Sequence, residues 1–337
     1  MNKFKLLLSM LMVLLFVLGG CSSASGKQED DLKKITIAEP LHLIGYLPLY
    51  LAINEGYFEE EGLDVEAVTS TGGAHVTTVV SGEAWGNIGG PESNQMANED
   101  SPDPILSVVN VVNRANVYIM ADTEQKLEDD SPEALKAFFE GKTIAAGRYG
   151  GSPNLLTRYL LMDLGLDPEK DVTLEEPADG SAVVSLVENG KADMAVGAEP
   201  QINGGIEKGV WGEPFYKFPT LGDYPYSVIS VRQSSIDDDP ETVQGFVNAI
   251  IKGLEAVNED KELAMKVLKE EFPTSSDEDL QAALDRAYAD QLWSLDGFIS
   301  EEGLAKTMDV VNKTGVYTDG YEYDGLVDMQ FVEGAGE

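Results

Sequence analysis

Hydrophobic positions in this chain fall into short runs that switch between two-residue and three-to-four-residue spacing. "KKITIAE" (33–39) alternates as a strand, and Leu47, Tyr50, Leu51 and Asn54 then recur at helical spacing. Pro48 suits the first turn of that helix, and Gly56 closes it in the left-handed conformation. "LDVEAVT" (63–69) reads as a second strand and "ILSVVNVV" (105–112) as one buried on both faces. This rhythm predicts parallel sheet flanked by helices. Past Tyr226 the texture changes. "YSVISV" (226–231) is a strand, and helices are predicted over 240–258, 261–271, 277–292 and 300–313. Pro240 behind Asp237, Asp238 and Asp239 starts the first of these, and Asn258 to Asp260 stop it.

An internal echo organises the first two thirds. "GGAHVTTVVSGEAWGNIGGPE" begins at Gly72 and "GSAVVSLVENGKADMAVGAEP" at Gly180, a constant offset of 108 that pairs Val76 with Val184, Gly82 with Gly190 and Gly89 with Gly197. Each copy reads as a short helix, a Gly-x-Ala turn and a small-residue strand with an acidic side chain past its end, Glu92 or Glu199. Two similar α/β lobes are expected, with the late helices returning to the first. In open α/β sheets ligands sit beyond the carboxyl ends of the strands, which is where those two carboxylates fall.

The start of the chain sets an expected compartment. Lys3 and Lys5 precede an apolar run over 6–17, followed by Leu18, Gly19, Gly20 and Cys21, the only cysteine. A short basic segment, an apolar core and small residues describe a secretory signal peptide over 1–20. The Cys after small residues resembles a bacterial lipobox, which makes Cys21 the expected lipid attachment point outside the cytoplasmic membrane; residues 21–34 read as a flexible linker. One cysteine permits no disulfide within the chain. The formal net charge is −37, and loss of Lys3 and Lys5 would make it −39 (−37 − 2). That balance argues against nucleic acid, whose phosphates need a basic patch. The acidic residues are dispersed and read as solvated faces, in keeping with a saline or alkaline habitat.

Three stretches carry a resemblance. "PLYLAINEGYFEEEGLDVE", "SGEAWGNIGGPES" and "NGKADMAVGAEP" are similar to the solute-binding proteins of ABC importers, in the nitrate/sulfonate/taurine branch that also contains binders of thiamin-pyrimidine precursors. The resemblance spans about 35 to 335 and rests most on Gly56 to Val65. It implies an α/β type II periplasmic-binding fold: one lobe from 35–115 plus 224–337, another from 116–223, a two-strand hinge near 113–118 and 221–226, and a central ligand cleft. It also implies a permease and its ATPase as partners and a monomeric chain.

Candidate ligand contacts follow from this frame. Gly150, Gly151, Ser152, Pro153 and Asn154 form a helix start with amides free for a sulfonate, carboxylate or phosphate. Pro91, Glu92 and Ser93, after Asn87 on the preceding strand, repeat the arrangement in the first lobe. Glu199 ends an apolar strand, and it either receives hydrogen bonds from an amino-heterocycle or pairs with an arginine. His42 and Tyr46 lie in the loop after the first strand. Tyr224 and Tyr226 flank Pro225 at a crossover, where rings can stack on a flat ligand. His75 is expected to be structural, Trp85 is undecided between core and cleft, and Arg148 is the one cation near the cleft. The aromatics with Glu92 and Glu199 favour a pyrimidine-like or other flat heterocycle; the alternative is an aliphatic sulfonate, taurine or nitrate.

Catalysis is not expected. Two histidines and one cysteine leave little for a nucleophile–base pair, and no metal-ligand cluster or phosphate-binding loop appears. No cofactor is expected. Pyrimidine-precursor synthases share the fold but use a cysteine-rich motif that this chain lacks, and a sensory lipoprotein is the remaining alternative.

Overall fold

The computed structural model describes residues 32–124, 127, 129–317 and 320–335; the expected signal peptide, Cys21 and nearly all of the linker lie outside the described residues. Two five-stranded sheets form the frame. Sheet one runs β2 (Leu63–Thr69), β1 (Lys33–Glu39), β3 (Gly86–Gly89), β10 (Ser227–Arg232), β4 (Ile105–Val112). Sheet two runs β7 (Thr173–Glu175), β6 (Thr143–Ala145), β8 (Met194–Gly197), β5 (Tyr118–Ala121), β9 (Tyr216–Lys217).

The plan is the same in both. The second strand in each order, β1 or β6, is parallel to its two neighbours, and the fourth strand, β10 or β5, pairs antiparallel to the third. The sequence echo has a structural meaning here, because β3 and β8 take the third place in each order. The expected parallel sheet is therefore mixed. Its antiparallel members are the strands that follow each crossing between sheets, and the chain re-enters from the opposite end there. β4 is buried at all eight positions, as its unbroken apolar run requires.

The crossing segments run side by side. The Tyr224 amide donates to Asn113 O at 3.2 Å and the Tyr226 amide to Val112 O at 2.8 Å. Outside them Arg114 Nη1 donates to Asp223 Oδ1 at 2.6 Å.

Helices cover both sheets. The first, Leu47–Asn54, is buried from Leu47 to Ala52 and crosses the long helix Pro240–Glu259 closely. The contact needs Gly253, since a Cβ there would lie 2.2 Å from Pro48 O. The helix predicted over 277–292 stops at Ala289, and Gln291 beyond it turns to φ 51. No helix among the described residues is long and apolar enough to cross a membrane.

Candidate functional site

The site is built where parallel strands end. The chain leaving β1 supplies Pro40, Leu41, Leu43 and Tyr46, and the chain leaving β3 supplies Gly90 and Ser93. From sheet two, the turn after β6 supplies Gly147, Arg148, Gly151, Ser152 and Pro153, and that after β7 supplies Ala178 and Gly180. Tyr226 and Ser227 close the wall from the second crossing. Together these enclose a cavity of about 120 Å³, which suits a compact solute.

Three helices begin on this cavity: Ala74–Ser81, Pro91–Asn98 and Ser152–Asp163, with N-caps Gly73, Gly90 and Gly151. None of the three has a side-chain cap bond. Elsewhere Ser131, Asp239, Asp260, Ser276 and Ser300 each accept from an amide of the helix they begin. At the Ser152–Asp163 start the glycine cap leaves first-turn amides to another acceptor, and the helix dipole adds partial positive charge there. At Ala74–Ser81 the amides of Ala74, His75 and Val76 are taken by Thr71 O, Ser70 O and Gly73 O. At Pro91–Asn98 the Ser93 amide donates to Gly90 O and the Glu92 carboxylate accepts from its own amide. Three helix N-termini thus face the cavity, and the Glu92 carboxylate already sits on the one capped by Gly90.

Arg148 adds a full charge. Its guanidinium lies against the Gly73 and Gly151 caps, 3.6 Å from where a Cβ at either would stand, and Nη1 donates to Tyr149 O at 3.1 Å. Among the described residues no carboxylate pairs with it, unlike Arg114, Arg158 and Arg286. The charge of Arg148 acts on the Glu92 carboxylate. It is buried, accepts from the Ser152 hydroxyl, and burial raises its pKa against the pull of Ser152, its own amide and Arg148. The Ser152–Glu92 bond joins the two sides of the cleft.

His75, the second residue of its helix, is buried and its Nδ1 has no partner among the described residues. Burial and then Arg148 lower its pKa to about 4, so it is neutral at pH 7. Tyr46 is buried, and burial raises its hydroxyl pKa despite a hydrogen bond with Ser227. Tyr226 is likewise buried and its pKa raised, first by burial and then by Tyr46 and Glu92.

Of the residues expected from sequence, the structure brings Tyr46, Ser93, Gly151, Ser152, Pro153 and Tyr226 to the cavity wall. Pro91 and Glu92 stand directly behind it, on the helix capped by Gly90. The others are placed elsewhere. His42 is sandwiched between the Tyr50 and Phe272 rings, each with centroid at 4.6 Å, and paired with Glu39 at 3.0 Å and Glu271 at 3.4 Å. Glu199 is in an ion pair with Arg286 at 3.1 Å and accepts from the Asn203 amide at 3.1 Å, so the arginine alternative describes it. Asn154 is consumed by Arg158 at 3.0 Å and Glu176 at 2.8 Å. Gly150 gives its carbonyl to the Tyr317 hydroxyl at 3.1 Å. Asn87 lies inside β3 opposite Ser230, and Tyr224 is buried with its hydroxyl bonded to Thr307. Trp85 packs on Phe246, centroids 5.0 Å apart, which makes it core.

Sequence reasoning passed over Gly73, and His75, expected to be structural, is buried and is among the residues lining the cavity. Gly72 and Gly180 both line it, and they are the first matched pair of the repeat. That coincidence was the available signal.

Two mixed α/β sheets crossed twice by the chain, with a cleft walled from both, define the periplasmic-binding fold. The NMT1-like family matches residues 40–269, and the chain belongs to it. It is 27% identical over 324 residues to the binding protein YtlA of Bacillus subtilis (strain 168), covering 95% of this chain and 93% of that protein. It is 26% identical over 283 residues to the formylaminopyrimidine-binding protein of Halalkalibacterium halodurans, covering 80% of this chain and 79% of the relative. Among solved structures, the periplasmic nitrate-binding protein NrtA of Synechocystis PCC 6803 superposes with TM-score 0.73 at 16% identity, covering 90% of this chain and 88% of that one.

Proposed function

We propose that this chain is the substrate-binding component of an ABC-type importer, and that its cleft closes on a small solute with an anionic head. The observation that carries the ligand class is the convergence of unpaired Arg148 with three glycine-capped helix starts. An oxyanion meets a guanidinium and the first-turn amides of the Ser152–Asp163 helix there, with the dipoles of the other two helices adding partial positive charge. The ligand reading expected from sequence leaned on Glu199, which Arg286 occupies, so an amino-heterocycle loses that acceptor. The lobes, 35–115 with 224–337 and 116–223, close about the crossings because the solute touches both and thereby favours the closed form. A permease with its ATPase receives it, with the monomeric chain held at the membrane by lipid on Cys21. The work is capture and delivery, with no bond made or broken.

A flat heterocycle is the second reading. Leu41, Leu43, Tyr46 and Tyr226 supply an apolar and aromatic wall, and one relative is named for formylaminopyrimidine. Titration calorimetry of wild type and Arg148→Gln with methanesulfonate, nitrate and 4-amino-2-methylpyrimidine separates the two. A charged hydrogen bond contributes about 1.5–3 kcal/mol, so the anions should lose roughly 10- to 100-fold in affinity in the variant while the pyrimidine changes little. A pyrimidine that binds wild type more tightly than either anion, with Arg148→Gln unchanged, would sink the anionic reading.

A further inference from the structure

His75 sits in the cavity wall with hydrogen-bonding capacity that no other described residue uses. The residue is 5% exposed and is among those lining the cavity, Nδ1 is buried without a partner, and Nε2 lies beside Gly89 of the cavity wall. Leaving such an atom unmatched is destabilising. An apolar side chain at this position would remove that cost, since nothing in the fold draws on Nδ1. The surroundings nevertheless hold the imidazole in place. Gly89 makes room for it, because a Cβ there would stand 3.1 Å from Nε2. The His75 amide is anchored on Ser70 O at 3.1 Å, one turn from the Gly73 cap on which Arg148 rests. Burial and Arg148 keep the ring neutral near pH 7, and a neutral imidazole offers one donor and one acceptor. A second positive charge would add little beside Arg148, whereas a neutral donor or acceptor adds a different kind of recognition.

We propose that His75 selects the solute, by a hydrogen bond to a polar group (hydroxyl, amine or ring nitrogen) carried beside the anionic head that Arg148 holds. This rests on the reading of the cleft as the solute site. The ligand class narrows accordingly to small organic anions with a second polar group. A bare inorganic oxyanion satisfies Arg148 and the helix starts but leaves the wall of Leu41, Leu43 and Tyr46 uncovered.

The test uses the purified full chain as wild type, His75→Gln and His75→Leu, titrated with two probe pairs. One pair is ethanesulfonate and 2-hydroxyethanesulfonate, which share a head and differ by a hydroxyl. The other is 2-methylpyrimidine and 4-amino-2-methylpyrimidine, which carry no charged head. Wild type should prefer the hydroxysulfonate by about tenfold, the order expected when a buried partner is left unpaired. The preference should fall below about threefold in His75→Leu and survive in part in His75→Gln, as expected of a polar substitute. The melting temperature of His75→Leu should not fall, because the unmatched nitrogen is gone; a structural histidine would lower it and leave the preference intact. Persistence of the wild-type preference in His75→Leu overturns the assignment, as does a wild type that binds none of the four probes or discriminates within neither pair. Binding of the pyrimidine pair alone overturns the anionic head, and His75 is then upheld if the amino preference collapses in His75→Leu and overturned if it does not.

Discussion

His42 shows how a side chain in a ligand-facing loop becomes part of the scaffold. Burial alone would lower its pKa, but hydrogen bonds to Glu271 and Glu39, with their charge, raise it to about 9. Glu39 is almost fully buried and also accepts from Tyr50 at 2.6 Å and Thr69 at 2.9 Å, so the imidazolium completes a set of donors to one carboxylate, the others held by helix Leu47–Asn54 and β2. The folded pKa lies above the unfolded value of 6.5, so the stabilisation is fully present below pH 6.5 and is lost as pH rises through 9. Thermal melts of wild type and His42→Gln from pH 6 to pH 10 should therefore show a gap that narrows across that window. A gap independent of pH would mean that ring stacking alone holds the residue. What sequence could not supply for His42 was its second carboxylate, since Glu271, unlike Glu39, is remote in the chain. The same limit applied to Glu199, whose arginine is 87 residues away. Ser152 and Tyr46 were legible because a helix start and a post-strand loop are local facts. Arg148 was visible as a nearby cation, but not that it would lie on the Gly73 cap of the other lobe.

Glycines at helix starts and helix crossings are where the architecture is most sensitive to a single methyl group. Helix Pro240–Glu259 approaches helix Leu47–Asn54 so closely that a Cβ on Gly253 falls 2.2 Å from a backbone oxygen, an atom that cannot rotate aside. Alanine gains about 1 kcal/mol over glycine in a helix interior, but overpacking costs about 1–3 kcal/mol, and more where backbone must shift. The clash should prevail, and Gly253→Ala should lower the denaturant midpoint with an unchanged slope. Gly204, in helix Gln201–Glu207, has nothing within 4 Å of an added Cβ and a φ outside the left-handed region. There Gly204→Ala should raise stability by up to about 1 kcal/mol. Opposite signs from one substitution type would confirm that packing at the crossing, rather than propensity, decides. Most elements were legible because their apolar spacing is a local property. The antiparallel strand β10 was legible as a strand, but its direction depends on where the chain crosses, which no local pattern encodes.

The two halves of the molecule are joined by contacts that do not involve a solute. Helix Glu301–Thr314 packs Leu304 and Met308 with Val228 of sheet one, while Lys313 reaches Asp163 of the sheet-two side at 2.8 Å. Beyond it the Tyr317 hydroxyl donates to Gly150 O, and Glu92 accepts from Ser152 across the cleft. Such bonds bias the empty protein towards closure, so that a solute needs to contribute only the remaining differential affinity. Tyr317 is the contact to test, because Gly150 and Tyr317 stand outside the cavity wall whereas Ser152 lines it. A net hydrogen bond contributes about 0.5–1.5 kcal/mol, so Tyr317→Phe should lower the closed-to-open ratio roughly 2- to 10-fold. Small-angle scattering should then show a larger radius of gyration for the empty variant than for empty wild type, with the two converging once an anionic probe saturates the cleft. Apparent affinity should weaken by a factor up to the same ratio, mainly through faster release. Equal empty-state radii with a weakened affinity would show that the Tyr317 bond forms only after the solute has closed the lobes, and equal radii with equal affinities would show that it contributes nothing to closure.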